Sequence, residues 1–134
     1  MNAEIEGIIV NAFIESRKKE RMIFELNNPK KRFWSCWDIP RYIDKKYAVK
    51  ITESIPTYEV IHKLLKKHGA PDQCYVMGTG PGQDLDGKEM PLADALKEVV
   101  YYGPVLVSCI HGKLAYLGEE QCIGAPDRYL LIRE

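Results

Sequence analysis

The sequence predicts an α+β domain in which helices pack on a mixed sheet of about four strands. Three observations predict this fold. They are a helical pattern of apolar residues at 91–101, a hairpin pattern that follows it at 103–120, and a length of 134 residues, which suits one domain with a full core. We therefore interpret residues 1–134 as a single domain. Residues 1–50 are expected to form a helical flanking layer, and residues 55–134 are expected to contain the sheet.

The hairpin is the clearest local structure in the sequence. An apolar, β-branched run at 104–110 and a second run at 113–118 are joined by His111 and Gly112, which both suit a tight turn. The first run is apolar at nearly every position, which predicts a strand that is central in the sheet and covered on both faces. The second run alternates more, which predicts a strand nearer an edge.

Two further runs, at 73–77 and 128–132, complete the predicted sheet. Strand 73–77, helix 91–101 and strand 104–110 follow one another along the chain. This order predicts a right-handed crossover that joins two parallel strands. The hairpin and the last strand then add antiparallel neighbours, and we expect helices on one face.

Helical spacing also recurs outside the sheet region. Asn2 is a suitable N-cap for a first helix, and a second helix is predicted to follow Thr57. The segment 22–26 fits either a strand or a helix, and its good helix formers favour the helix. The apolar residues of the first helix lie on one face: Ile5, Ile8, Ile9, Ala12 and Phe13.

The composition is that of an ordinary globular protein, with 46% apolar and 28% charged residues. The formal net charge is zero at pH 7, so the whole chain has no general attraction for nucleic acid or for an anionic membrane. The charge is nevertheless uneven. Residues 17–50 hold eleven Lys and Arg against four acids, a net of +7, and residues 71–134 hold ten acids against five bases, a net of −5. Such asymmetry fits either solvated surface or two faces that pair within or between molecules.

The four cysteines show no CxxC spacing, and three of them lie in apolar surroundings, as buried free thiols do. The N-terminal residues lack a secretory apolar region, and no apolar run reaches the ~20 residues of a membrane span. We therefore expect reduced thiols and a cytoplasmic location. We expect no membrane association, no cofactor and no metal site.

A long loop at 78–90, rich in glycine and aspartate, follows the strand 73–77. Gly82 to Lys88 matches the GxxxxGK spacing of a phosphate-binding loop, but Glu89 replaces the hydroxyl residue that binds magnesium, and the two aspartates would repel a phosphate. A twelve-residue calcium loop also fails, because its first and twelfth positions would be Gly82 and Ala93, which carry no carboxylate. The loop nevertheless leaves the end of a strand, where open α/β sheets place ligands. Asp84 and Asp86 are the acids of this loop that could orient a reacting group.

Cys109 and His111 lie two positions apart at the hairpin turn. Because side chains alternate along a strand, we expect these two on one face and Ser108 on the other. A thiol beside an imidazole could act as a nucleophile and its base. This hypothesis describes an enzyme or small-ligand binder between the 78–90 loop and the hairpin. The simpler interpretation is that Cys109 is a small core residue and His111 a turn residue.

A basic, aromatic segment at 29–50 is predicted to be a binding surface. A surface of cations interleaved with aromatic rings can bind a protein partner, or its rings can stack on nucleic-acid bases. The spacing of Phe33 and Trp37 also suits a core. The residues singled out for partner binding are Arg32, Trp34, Trp37, Arg41 and Tyr42.

Three functional hypotheses follow from these features. We favour a small cytosolic protein-interaction or regulatory domain without catalytic chemistry, because the sequence shows no acid/base or metal constellation. Its partner is expected to be another protein or a second copy of itself, as in a homodimer. The alternatives are the enzyme or ligand binder described above and a nucleic-acid binder that uses the segment 29–50, which the zero net charge disfavours.

Overall fold

The computed structural model describes residues 1–52, 57–79, 84–101, 103–119 and 127–134. These residues form six α-helices, two short 3-10 helices (Ser16–Lys18 and Lys45–Tyr47) and six β-strands. The helices are α1 (Ala3–Phe13), α2 (Lys19–Leu26), α3 (Arg32–Trp37), α4 (Ile39–Tyr42), α5 (Tyr58–Lys67) and α6 (Leu92–Val99). The strands are β1 (Ala48–Lys50), β2 (Gln73–Gly78), β3 (Glu89–Pro91), β4 (Val105–Ile110), β5 (Leu114–Gly118) and β6 (Arg128–Ile132).

The strands form one sheet in the order β1-β6-β5-β4-β2-β3, so the α+β class is confirmed and the count of about four strands is wrong. The four predicted strands are present as β2, β4, β5 and β6. The two additional strands, β1 and β3, are the edges of the sheet. Each is only three residues long, which is too short to show a period in the sequence.

The prediction of a mixed sheet with a parallel crossover from β2 to β4 is wrong, because every neighbouring pair is antiparallel. Val76 of β2 lies opposite Val107 of β4 in that arrangement. The reason lies in β3, which pairs back on β2 before α6 begins. The connection through α6 therefore joins β3 to β4, and these two strands flank β2 on its two sides.

Helices cover both faces of the sheet, so the expectation of helices on one face is also wrong. Helices α5 and α6 pack on the face that carries Val76 and Val107. The N-terminal helices α1 to α4 form a layer on the other face, against Met77 and Leu106. Because successive strand residues point to opposite faces, the continuous apolar runs of β2 and β4 serve two cores at once.

The predicted hairpin is present, and Gly112 holds its turn with a φ of +81°. Strand β5 is central rather than near an edge, because β6 pairs along its other side and all five of its residues are buried. The pairing of β4 with β5 shifts register between Ser108 and Ile110. This β-bulge lies directly before the turn and breaks the alternation of side chains there.

The predicted helix starts are also observed. The Asn2 side chain accepts a hydrogen bond from the backbone N–H of Ile5 at 3.0 Å, and the Thr57 side chain accepts one from Val60 at 3.3 Å. Residues 22–26 are helical, within α2. The longest described helix has eleven residues, and none of the described helices has the length and apolar character needed to span a membrane.

Candidate functional site

Helix α3 is the element around which the candidate site is built. A turn from Asn28 leads into it: the Asn28 side chain accepts a hydrogen bond from the N–H of Lys30, and the Asn28 carbonyl accepts one from the N–H of Arg32, the first residue of α3. Pro29 lies in the turn between them, where its fixed φ is compatible with helix entry. The six residues of α3 then face three different surroundings: a buried ionic network, an exposed aromatic surface and a small polar cavity.

The buried ionic network joins Glu6 of α1, Arg32 of α3, Tyr75 of β2 and Asp86 of the loop after β2. The guanidinium of Arg32 donates to both oxygens of Glu6, at 2.7 and 2.6 Å, and to both oxygens of Asp86, at 2.7 and 2.9 Å. Its remaining N–H donates to the Leu26 carbonyl at 3.1 Å. All five guanidinium donors are therefore satisfied.

Tyr75 completes this network from the sheet. Its hydroxyl donates to Glu6 at 2.5 Å and accepts from the backbone N–H of Asn2 at 3.0 Å. Burial, followed by the hydrogen bond to Glu6, raises the pKa of Tyr75 and keeps it a neutral donor. Burial lowers the pKa of Arg32, but the hydrogen bonds with Asp86 and Glu6 outweigh it and the net pKa is raised. Two carboxyl groups thus share one guanidinium.

The exposed surface is an aromatic face made by three side chains of α3. The ring centroids of Phe33 and Trp34 are 5.0 Å apart, and Trp37 lies 6.2 Å from each of them. Trp34 is 64% exposed, so a large apolar side chain of this cluster faces solvent. Phe24 of α2 is also 61% exposed, and the Lys31 ammonium lies 5.5 Å from its ring centroid.

The predicted partner-binding residues therefore separate into three locations. Trp34 and Trp37 belong to the aromatic face, and Arg41 is exposed on α4. Tyr42 is half-buried, with the Lys18 ammonium 4.7 Å from its ring centroid. Arg32 is only 7% exposed, and its guanidinium is held in the buried network.

A cavity of about 130 Å³ opens on the third side of α3, next to α2. Lys18 and Arg21 contribute positive charge to its lining, and Glu25 and Asp38 contribute negative charge. Ser35 also lines it, and its hydroxyl is buried without a hydrogen-bond partner among the described residues. The cavity therefore offers polar atoms for a small group directly beside the aromatic face.

Cys109 and His111, the predicted nucleophile and base, both line a cavity of about 200 Å³ at the end of the sheet. Cys109 is buried in the core between the sheet and α5 and α6, and burial raises its pKa to about 12, which disfavours the thiolate that a nucleophile needs. The His111 ring packs edge-on against Tyr75. The β-bulge between Ser108 and Ile110 breaks the regular alternation of side chains from which their shared face was predicted.

Ser108 is the residue that actually contacts the histidine, since its hydroxyl lies 2.7 Å from His111 Nδ1. Serine beside histidine is a nucleophile and base in many hydrolases. Ser108 is 0% exposed, however, and a substrate carbonyl could not reach its hydroxyl without opening the sheet. We therefore interpret this pair as a structural link across the hairpin turn.

Of the two loop acids, Asp84 is exposed and Asp86 is drawn inward by Arg32. Glu6 and Tyr75 were missed by the sequence analysis. A signal for Glu6 was present, because the buried face of α1 is Glu6, Ile9, Val10 and Phe13 at helical spacing. A carboxylate at the head of a buried stripe needs a buried cation, and the sequence does not show which cation that is.

Cys122 lies outside the described residues, as do residues 80–83 of the predicted loop site. Within the described ranges, no three His, Cys, Asp or Glu side chains are grouped closely enough to hold a metal ion. Comparisons with protein-family models, with curated proteins and with solved structures found no match to this chain.

Proposed function

We propose that this chain is a protein-interaction domain that holds an acidic protein partner on the aromatic face of α3. The observation that carries the proposal is the exposure of Trp34, at 64%, within a cluster of three aromatic rings. Burial of such a side chain against a partner contributes favourable free energy, and Trp is among the residues that dominate the energetics of protein interfaces.

The charge around this face indicates the chemistry of the partner. Lys30 and Lys31, directly before α3, and Arg41, on the following helix α4, are exposed. A partner that offers acidic side chains around an apolar centre would complement both features, and the charged rim would steer the encounter.

A protein partner is favoured over nucleic acid because Lys30, Lys31 and Arg41 are only three cations, and other basic residues of the segment are paired within the chain. Arg21 forms an ion pair with Glu25, Lys46 lies 3.8 Å from Asp44, and Arg32 is consumed by the buried network. Nucleic-acid affinity depends on cations that are free to replace counterions on phosphates. The aromatic rings also pack on one another, which leaves Trp34 as an anchor for a pocket.

A photo-crosslinking amino acid at position 34, introduced in the native cells, tests this proposal. Position 101 is the matched control, because Tyr101 is 48% exposed and follows α6 on the opposite face of the sheet. We expect a discrete protein adduct from position 34 and not from position 101. An adduct with RNA or DNA, or equal adducts from both positions, would contradict the proposal.

The purified partner then provides the quantitative test. We expect Trp34→Ala to weaken binding by about thirtyfold, as for an interface hot spot, and Tyr101→Ala to leave it unchanged. The dissociation constant should rise with salt, because the rim is charged. Since Trp34 is largely exposed, its loss should change the free energy of unfolding by no more than about 0.5 kcal/mol. If the adduct is a dimer of this chain, the partner is a second copy.

A further inference from the structure

Two cysteines lie on neighbouring strands next to the hairpin turn, and neither the aromatic face nor the buried network uses them. In the antiparallel pairing of β2 with β4, Tyr75 lies opposite Ser108. The next positions towards the turn are Cys74 on β2 and Cys109 on β4, so one further step of this register sets the two cysteines opposite each other. The β-bulge at this point shifts β4 against β5, whereas the four pairs of β2 with β4 run without a shift.

The burial of the two cysteines places them on the same side of the sheet. Both belong to the core that α5 and α6 cover, and they are only 3% and 4% exposed. Both also line the cavity of about 200 Å³ at the end of the sheet. The other residues that line it are exposed, so the cavity connects both thiols to the surface at one place: Pro71, Gln73, Glu89 and His111.

We propose that Cys74 and Cys109 are a site of reversible oxidation, at which the two thiols form a disulfide that joins β2 to β4. Directly opposed residues of antiparallel strands have Cα atoms about 4.5 or about 5.5 Å apart. Both separations lie within the range of about 4.4–6.8 Å that a disulfide spans. The bond therefore needs rotation of two side chains and little movement between the strands.

The oxidant is a small disulfide, for which oxidised glutathione is the probe. The thiolate of one cysteine attacks a sulfur atom of oxidised glutathione and releases one glutathione thiolate. The thiolate of the other cysteine then attacks the mixed disulfide and releases the second glutathione thiolate. The two thiol protons pass to the released glutathione molecules. Two cysteine thiols are thereby oxidised to one disulfide, and one glutathione disulfide is reduced to two thiols.

Equilibration with glutathione at neutral pH, in a Cys122→Ser background, tests this inference. Burial raises the pKa of both thiols to about 12 and slows the exchange, so the equilibrium is approached from the reduced chain and from the oxidised chain. Samples in native buffer and in urea are quenched with acid, and peptide mass spectrometry measures the 74–109 disulfide. At a fixed concentration of reduced glutathione, we expect the folded chain to need at least tenfold less oxidised glutathione. An equal or higher requirement in the folded chain would overturn the inference.

Cys36 is the matched control within the same chain. Its thiol is also buried, and burial raises its pKa to about 12, but it lies in the other core, against the opposite face of the sheet. We expect the folded chain to form no disulfide that includes Cys36. A comparable yield of such a disulfide would refute the assignment, because it would show that local unfolding, and not the strand register, brings the thiols together.

Urea unfolding of the oxidised and the reduced chain is a second measurement that needs no further variant. By thermodynamic linkage, the factor by which folding favours the disulfide is also the factor by which the disulfide raises the folding equilibrium constant. We expect this constant to be at least tenfold higher in the oxidised chain, and dithiothreitol to abolish the difference. An unchanged or lower constant in the oxidised chain would contradict the opposed placement of Cys74 and Cys109.

Discussion

The guanidinium of Arg32 donates hydrogen bonds to both oxygens of Asp86, although 54 positions separate the two residues in the sequence. One of these oxygens also accepts the backbone N–H of Gly78 at 3.2 Å. The same guanidinium binds Glu6 on α1. A single side chain therefore fastens the N-terminal helical layer to the end of β2 and to the loop that follows it.

The first prediction concerns this link. Arg32→Met should lower the free energy of unfolding by about 3–5 kcal/mol, because it leaves Glu6 and Asp86 as buried carboxylates without a counter-charge. Urea unfolding at neutral pH measures the change. The matched control is the triple variant Glu6→Gln, Arg32→Met, Asp86→Asn, which removes all three charges. We expect it to cost less than Arg32→Met alone, and a greater loss in the triple variant would contradict this account.

The second prediction concerns the link across the hairpin turn. His111→Ala leaves the hydroxyl of Ser108 buried without its partner, which should cost about 1–3 kcal/mol. Ser108→Ala in the same background removes the stranded group. The double-mutant cycle should therefore give a coupling energy of about 0.5–3 kcal/mol. Additive losses would show that the 2.7 Å contact contributes nothing to stability.

The third prediction concerns the reactivity of Cys109. Burial raises its pKa to about 12 from the ordinary 9.0, so the thiolate fraction at neutral pH is roughly a thousandfold lower than for a free cysteine. Iodoacetamide should therefore alkylate it far more slowly in the folded chain than in urea. Peptide mass spectrometry in a Cys122→Ser background separates Cys109 from the cysteine outside the described residues. Equal rates in the folded and unfolded chains would contradict the burial of this thiol.

The fourth prediction is a loss of stability at alkaline pH. Burial raises the pKa of Cys36, Cys74 and Cys109 to about 12 each. Because the folded pKa exceeds the unfolded value of 9.0, their contribution is complete below pH 9 and is lost as pH rises towards 12. Each thiol contributes a slope of at most about 1.4 kcal/mol per pH unit in that window. Urea unfolding between pH 8 and pH 11 should show the decline, and Cys74→Ala should make it shallower.

The fifth prediction compares two glycines. Gly112→Ala should destabilise the chain by about 1–2 kcal/mol, because Gly112 has a φ of +81° and a Cβ there would lie 3.0 Å from the Ile8 side chain. Gly7→Ala should instead stabilise it by up to about 1 kcal/mol, because Gly7 is inside α1 and has open space at its Cβ. Thermal unfolding of both variants measures the difference. A common sign for the two changes would contradict it.

The spacing of apolar residues in the sequence predicts those helices and strands that bury one regular apolar face. Helix α5, helix α6 and the hairpin are each visible in the spacing of their apolar residues. The direction of β4 relative to β2 is not visible, because it depends on β3, whose three residues reverse the chain first. The face on which the N-terminal layer packs is likewise a property of the whole sheet.

The candidate site likewise contains residues that the sequence predicts and residues that it does not. Trp34 and Trp37 can be predicted as surface residues from their basic surroundings, and Trp34 is indeed exposed. Arg32 has the same surroundings and is buried, because Glu6 and Asp86 lie on segments that meet it only in the fold. His111 turns towards Ser108 because of a β-bulge, and nothing in the local sequence pattern indicates that bulge.

Both edge strands of the sheet are short. Strand β1 at one edge carries Lys50, and strand β3 at the other ends in Pro91, which has no backbone N–H to offer. Short edges with a lysine or a proline are devices that resist the addition of further strands. A strand from a second chain would therefore find only three residues to pair with at either edge, which disfavours growth of the sheet from one molecule into the next.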